Sequence, residues 1–327
     1  MFSFHLSPLL SFVVAYGLLH WFNSHPNARL PLDLPNSRSL HSTPVPRVGG
    51  IGLLAGIAIS LTAINLPVSA AIAVCVLLLA CVSLIDDYFG ISVIWRLSAH
   101  LCAAGFAASE LLFVDYGAFV TLLAALIIAW MANLYNFMDG ADGLAGGMAL
   151  FGFSFYAIAA FAAGSTAFGL ANACIAAAAA AFLIFNFHPA KIFMGDAGSV
   201  PLGFLAATFG IVGWLQQYWS WWFPLLVFSP FIVDASVTLA RRLVSGARVW
   251  EAHRDHYYQR LILMGVGHRG TALAEYALML VCGTSALWAM TLSVSARQAL
   301  LSVICLLYVA LIVLIERAWH GRRDLNA

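Results

Sequence analysis

The chain has 327 residues, 63% hydrophobic and 9% charged, with a formal net charge of +1 and a mean hydropathy of +0.93. A water-soluble domain carries roughly 25% charged residues, so this composition excludes one and predicts a polytopic membrane protein. It also excludes a disordered chain, a small disulfide scaffold and a nucleic-acid partner bound through a basic face.

Eleven apolar runs are long enough to cross a hydrocarbon core about 30 Å thick: residues 4–22, 48–64, 68–85, 97–113, 119–135, 144–163, 167–187, 200–214, 222–240, 272–292 and 299–315. They are continuously apolar rather than alternating, and backbone groups in lipid need internal hydrogen bonds. The expected fold class is therefore an all-α polytopic bundle of about eleven transmembrane helices, not a barrel. The first run lacks a basic leader and a small-residue cleavage site, so it reads as a retained helix. The 200–214 run is short, and 48–85 can be divided differently around Asn65-Leu66-Pro67. The whole chain, 1–327, reads as one integral membrane domain, with 241–270 its largest cytoplasmic loop.

If the runs alternate in direction, one face holds 14 of the 15 basic residues, from Arg29, Arg38, Arg47 and Arg96 through Lys191 and the arginines of 241–269 to Arg317, Arg322 and Arg323. Arg297 alone falls opposite. The positive-inside rule makes the crowded face cytoplasmic, with the N-terminus periplasmic and the C-terminus inside. Trp214, Trp219, Trp221 and Trp222 suit an interfacial belt on the other face. The six cysteines, Cys75, Cys81, Cys102, Cys174, Cys282 and Cys305, lie within apolar runs without a Cys-x-x-Cys pair and read as small hydrophobes.

Most acids cluster in those cytoplasmic connections, at helix ends. Asp86 and Asp87 follow the third run; adjacent carboxylates are cheap to keep only when well solvated or sharing a cation, and Arg96 is close enough in sequence to pair with them or with a phosphate. Asn136, Asp139 and Asp142 recur every three residues beside Gly140 and Gly143, which would put them on one face of a helical turn. Between runs seven and eight, Asn186 precedes Met194-Gly195-Asp196-Ala197-Gly198-Ser199, where Asp196 either caps the next helix or meets a metal and a phosphate at its positive end. In the loop 241–270, His253-Arg254-Asp255-His256-Tyr257-Tyr258-Gln259-Arg260 combines basic and aromatic groups suited to an anionic, ring-containing ligand or to lipid headgroups. The turn His41-Ser42-Thr43-Pro44-Val45-Pro46-Arg47 offers Arg47 to a phosphate or a headgroup.

Taken together, these motifs resemble the polyprenyl-phosphate N-acetylhexosamine-1-phosphate transferases over essentially the whole chain. The resemblance implies ten or eleven membrane helices, a UDP-N-acetylhexosamine donor, an undecaprenyl phosphate acceptor and Mg²⁺, with Mn²⁺ as a substitute. It assigns Asp86 and Asp87 to catalysis and the metal site, and Asp196 to the metal. Asn136, Asp139, Asp142 and Asn186 fall to the uridine and diphosphate, and His253, Arg254 and His256 to the diphosphate or sugar, His253 with a catalytic role. Arg47 and Arg96 become anion contacts. His-Arg-Asp-His followed by Tyr-Tyr-Gln-Arg is similar to the initiators of O-antigen and lipopolysaccharide synthesis, which implies FucNAc, QuiNAc or GlcNAc as the sugar. The same resemblance places the protein in the bacterial inner membrane with a homodimer as its default state. The rival readings are a peptidoglycan-type phospho-MurNAc-pentapeptide transferase and an ion-coupled transporter built on Asp234, in a run broken by Pro224 and Pro230, and on Glu275.

Overall fold

Each of the eleven apolar runs overlaps a helix in the computed structural model, which describes residues 4–25, 30–33, 44–62, 69–248 and 253–326. Arg29, Arg38, His41, Ser42, Thr43, Trp250, Glu251 and the Asn65-Leu66-Pro67 break lie outside the described residues. The helices are α1 (Ser7–Ser24), α2 (Gly49–Thr62), α3 (Ala70–Phe89), α4 (Val93–Phe137), α5 (Leu144–Ala162), α6 (Thr166–Asn186), α7 (Asp196–Leu215), α8 (Trp222–Val227), α9 (Ser229–Val244), α10 (Tyr257–Leu261), α11 (Gly267–Ala289) and α12 (Val294–Asn326). Among the described residues, seven helical stretches are long and apolar enough to cross a membrane: α3 to α7, the run from α10 through α11, and α12. The chain is an all-α polytopic membrane protein. Among the described residues the only sheet is the antiparallel pair β1 (Leu32–Asp33) and β2 (Val45–Pro46).

Two predicted runs, 97–113 and 119–135, are joined in α4, whose 45 residues would extend about 68 Å if straight. They do not: Gly117 has φ 72° and ψ 177°, and His100 Nδ1 lies 3.2 Å from Asn133 Oδ1. A straight helix would separate those residues by about 50 Å, so the chain folds back at Gly117 and the arms lie side by side. Glycine carries this turn because a side chain disfavours that φ.

Run 222–240 is likewise divided, into α8 and α9. Pro230 sits in the first turn of α9, where its missing N–H costs nothing and its fixed φ suits a helix start. Ser229 Oγ closes the joint, donating to Leu226 O at 2.7 Å and meeting Tyr308 Oη of α12 at 2.7 Å.

The interior is built by α5 on α6, α1 on α6, α4 on α7 and α3 on α7. Alanine and glycine recur on the buried faces of α5, α6 and α7 and let backbones approach closely. Phe153, Tyr156, Phe168, Phe209 and Phe228 fill the remaining space. By contrast α3 and α12 present Leu77, Leu78, Val303 and Leu306 outward, as helices facing acyl chains would.

The strand pair positions the site. Phe193 N donates to Pro46 O at 2.8 Å, Gly49 N to Phe193 O at 2.9 Å and Gly50 N to Met194 O at 2.8 Å, docking the entry of α2 against the entry of α7. The segment 241–270 is more helical than a loop: α10 passes through a π-helical turn, Ile262–Val266, into α11.

Candidate active site

α3 ends at Gly90, whose N–H reaches Asp86 O at 2.9 Å, leaving Asp86 and Asp87 in the helix's final turn. Asp86 Oδ1 accepts from Ile91 N at 2.6 Å. Arg96 Nη1 lies 2.8 Å from Asp86 Oδ2 and 3.3 Å from Asp196 Oδ2, so one guanidinium bridges two helix ends. Asp87 is almost wholly buried, with a side chain 1% exposed. Its Oδ2 accepts from Ala197 N at 3.3 Å, and Arg47 Nη1 stands 3.7 Å from Oδ1. Arg47 binds Asp33 more closely, at 2.7 Å.

Asp196 opens α7, where the helix dipole favours negative charge. The preceding Gly195 has φ 74°, and a Cβ there would stand 3.0 Å from Asp87 Oδ2. A side chain would disturb both the backbone and the carboxylate. The end of α4 adds Asn136, whose Oδ1 accepts from Ser199 Oγ at 2.8 Å. Asp139 follows it. Burial, then the neighbouring Asp196 carboxylate, holds the Asp139 carboxyl well above the usual carboxylate range, while Arg47 acts against that rise. Thus Asp86, Asp87, Asp139, Asp196, Arg47 and Arg96 lie together at these helix ends.

A cavity of about 910 Å³ opens beside this cluster, between the two arms of α4, the end of α9 and the approach to α10. Arg96, Asn136, Asp196, His253 and His256 line it together with a wall of Val93, Leu97, Leu101, Leu126, Trp130, Leu239 and Leu243. His253 and His256 have ring centroids 5.0 Å apart. Burial, with the nearby His256 and Arg242 charges, pushes the His253 imidazole down to about 4, so it is neutral near pH 7. Arg254 is not among the cavity-lining residues.

The mid-run carboxylate Asp234 takes an unexpected part. Its oxygens accept from Tyr257 N at 3.0 Å and Tyr258 N at 2.9 Å, and Oδ1 stands 3.1 Å from His256 Nδ1. Asp234 therefore caps α10 from another helix and fixes the histidine that borders the cavity. Sequence reading also missed His100, Asn133 and Gln259, which join the lining. Only their proximity to motif residues could have flagged them.

Asp142 and Asn186 fall in a second polar cluster. Asn186 Oδ1 accepts from Gly143 N at 2.9 Å and its Nδ2 donates to Ile192 O at 2.9 Å. It ties the turn after α4 to the connection before α7. Asp142 is engaged by His188 Nδ1 at 2.6 Å from Oδ2 and by His268 Nδ1 at 3.4 Å from Oδ1.

Residues 69–214 match the family model described as glycosyl transferase family 4. Over 273 residues the chain is 27% identical to a probable undecaprenyl-phosphate N-acetylglucosaminyl 1-phosphate transferase of Bacillus subtilis (strain 168), covering 78% of this chain and 76% of the relative. It is 34% identical over 165 residues to a phospho-N-acetylmuramoyl-pentapeptide-transferase of Staphylococcus aureus (strain JH9), a match spanning half of each chain. The segment matched by the family model carries Asp86, Asp87, Asn136, Asp139, Asp142, Asn186 and Asp196, so it is in the stretch holding these acids and amides that the chain is similar to glycosyl transferase family 4.

Proposed function

We propose that the protein transfers a sugar 1-phosphate from a UDP-sugar to undecaprenyl phosphate at the cytoplasmic face of a bacterial inner membrane, with its N-terminus periplasmic. The observation that carries this reading is a cavity lined both by an apolar wall and by Arg96, Asn136, Asp196 and the two histidines. A polyprenyl phosphate needs such a duality, an apolar groove for its tail and a charged floor for its phosphate. The names of the Bacillus and Staphylococcus relatives support the same class of reaction.

In the reaction proposed, an oxygen of the lipid phosphate attacks the sugar-bearing phosphorus of the donor. A new P–O bond forms, the bond to the bridging oxygen breaks, and UMP leaves with the electron pair. Two anions must approach, so the site must supply positive charge and directed donors. Arg96 and Arg47 receive phosphate oxygens. Asn136, Asp139 and Asn186, with the turn at Asp142, orient the uridine and diphosphate. His253, neutral and facing the cavity, exchanges a proton or a hydrogen bond with the diphosphate, while His256 flanks it and Arg254, outside the cavity lining, adds positive charge beside His253 in the chain. Whichever of Asp86 and Asp87 is not engaged with a cation positions the lipid phosphate.

The acids Asp86, Asp87, Asp139 and Asp196 form an oxygen-only donor set suited to a hard divalent cation such as Mg²⁺ or Mn²⁺. Asp196 with Asp86 or Asp87 would hold it. Once bound, that ion would neutralise charge on the donor diphosphate. The His-Arg-Asp-His sequence favours a HexNAc donor of the O-antigen type, FucNAc, QuiNAc or GlcNAc, and the Staphylococcus likeness keeps a MurNAc-pentapeptide donor as the alternative. The transporter reading loses its main support, because Asp234 is committed to capping α10.

The deciding experiment is exchange of labelled UMP into a panel of UDP-HexNAc donors and UDP-MurNAc-pentapeptide. It uses the purified full chain with undecaprenyl phosphate and Mg²⁺. Exchange with one donor, lost in Asp87→Asn and Asp196→Asn, is the expected result. Absence of exchange with every donor, or full activity in Asp86→Asn, Asp87→Asn and Asp196→Asn alike, refutes the assignment.

A further inference from the structure

We infer that Asp142, His188 and His268 form a second divalent-metal site, selective for a zinc-class ion and separate from the carboxylate cluster. Among the described residues they are the one group of three acid, histidine or cysteine side chains whose ligand atoms all lie within 4.8 Å of one another. The three come from distant parts of the chain: the turn after α4, the connection between α6 and α7, and the start of α11. His188 Nδ1 stands 2.6 Å from Asp142 Oδ2, and His268 Nδ1 stands 3.4 Å from Oδ1. The two imidazoles are stacked, with centroids 5.5 Å apart and planes 9° from parallel. Asp142 is buried, which suits a carboxylate that is coordinated. The His188 side chain is 42% exposed and leaves an entry path.

Donor chemistry separates this site from the first. Two imidazoles and one carboxylate are a borderline nitrogen-oxygen set that favours zinc and its neighbours, with a fourth position left for water or a ligand atom. Mg²⁺ prefers all-oxygen surroundings and octahedral geometry, which a set with two imidazole nitrogens does not offer. An outer partner is also in place: Ala190 N donates to Asp142 Oδ2 at 3.2 Å. His268 Nδ1 accepts from Asp142 N at 3.2 Å, a bond that a metal on that nitrogen would replace. An ion held here would join the turn that carries Asp139 to the connection that leads into Gly195 and Asp196. It would brace the first site without entering it.

The test uses the full chain in detergent, stripped with a chelator and then titrated with Co²⁺ as a spectroscopic probe. The expected result is one Co²⁺ per chain with a visible ligand-field band, displaced by Zn²⁺ and not by excess Mg²⁺. The band persists in Asp87→Asn and weakens at least tenfold in affinity in His188→Gln and in His268→Gln. Each variant is checked for a monodisperse elution profile. Should a histidine variant fail that check, the wild-type stoichiometry and the Mg²⁺ competition still decide. No stoichiometric Co²⁺ band in the wild type, ready displacement by Mg²⁺, or a band unchanged in both folded histidine variants would overturn the inference. Loss of sugar-phosphate transfer alone bears on the first site only, since the readout here is metal binding.

Discussion

Replacing Asp234 with alanine removes the acceptor for two buried backbone amides, Tyr257 N at 3.0 Å and Tyr258 N at 2.9 Å, together with the partner of His256 at 3.1 Å. A buried donor left without a partner costs about 1–3 kcal/mol, so the two amides alone set a loss of about 2–6 kcal/mol in the docking of α10. At about 1.4 kcal/mol per tenfold, even the lower bound shifts the docked population by roughly 30-fold. Asparagine keeps one acceptor oxygen and should cost about half as much. The measurement is amide hydrogen exchange over 253–261, compared with UMP exchange in the same preparations. Protection should fall from wild type to Asp234→Asn to Asp234→Ala, with activity falling in parallel because His256 loses its anchor. If Asp234→Ala matches the wild type in both protection and turnover, the capping role is wrong and a mid-membrane function for this carboxylate returns.

Arg96 bridges Asp86 and Asp196 with a side chain one-third exposed, so Arg96→Lys should leave thermal stability within about 1 kcal/mol. It should nonetheless cut turnover tenfold or more, since an ammonium cannot reproduce the guanidinium's planar reach; unchanged turnover would remove Arg96 from the site. Asp139, held above the ordinary carboxylate range by burial and by Asp196, retains a proton to higher pH than a free carboxylate. Divalent cation binding should therefore release protons and weaken as pH falls. Calorimetry in buffers of different ionisation enthalpy reads this directly, and a proton release unchanged in Asp139→Asn would refute it. A Cβ on Gly50 would stand 2.3 Å from Gly198 N, backbone against backbone. Gly50→Ala should accordingly lower the melting temperature and activity together, and a variant with wild-type stability would show that the contact between α2 and α7 yields easily.

Much of this was legible in the sequence because hydrophobicity and glycine act locally. The eleven apolar runs overlap helices, and Gly117 turns one helix into two arms where a break between runs was expected. Asp86, Asp87, Asp139 and Asp196 could be grouped because each falls at a helix end or in a turn, where a carboxylate in an apolar chain has to be paid for. The role of Asp234 was not legible. A carboxylate inside an apolar run reads as an ion pathway, and nothing near it in sequence reveals that the amides it caps lie 23 and 24 residues onward. Asp142 presents the same difficulty, since His188 and His268 follow 46 and 126 residues later. Motif spacing also assigned Asn136, Asp139 and Asp142 to one face, yet the turn at Gly140 to Gly143 sends Asp142 toward the histidines while Asp139 stays beside Asp196.

Charge balance connects these pieces. Asp86, Asp87, Asp139 and Asp196 are four acids gathered against Arg96 and Arg47, and Arg47 leans toward Asp33. If all four ionise, the cluster carries a net charge of at least −2, which a partly buried site can neutralise only by taking up protons or a divalent cation. Asp139 accounts for one proton in the first case. In the second, a divalent cation held by these carboxylates would supply the missing charge, and Arg96, now shared between Asp86 and Asp196, would be available to an anion in the adjoining cavity. The near-neutral composition of the whole chain thus conceals a local deficit of positive charge, and that deficit is what would make binding of the metal and of the anionic substrates mutually dependent.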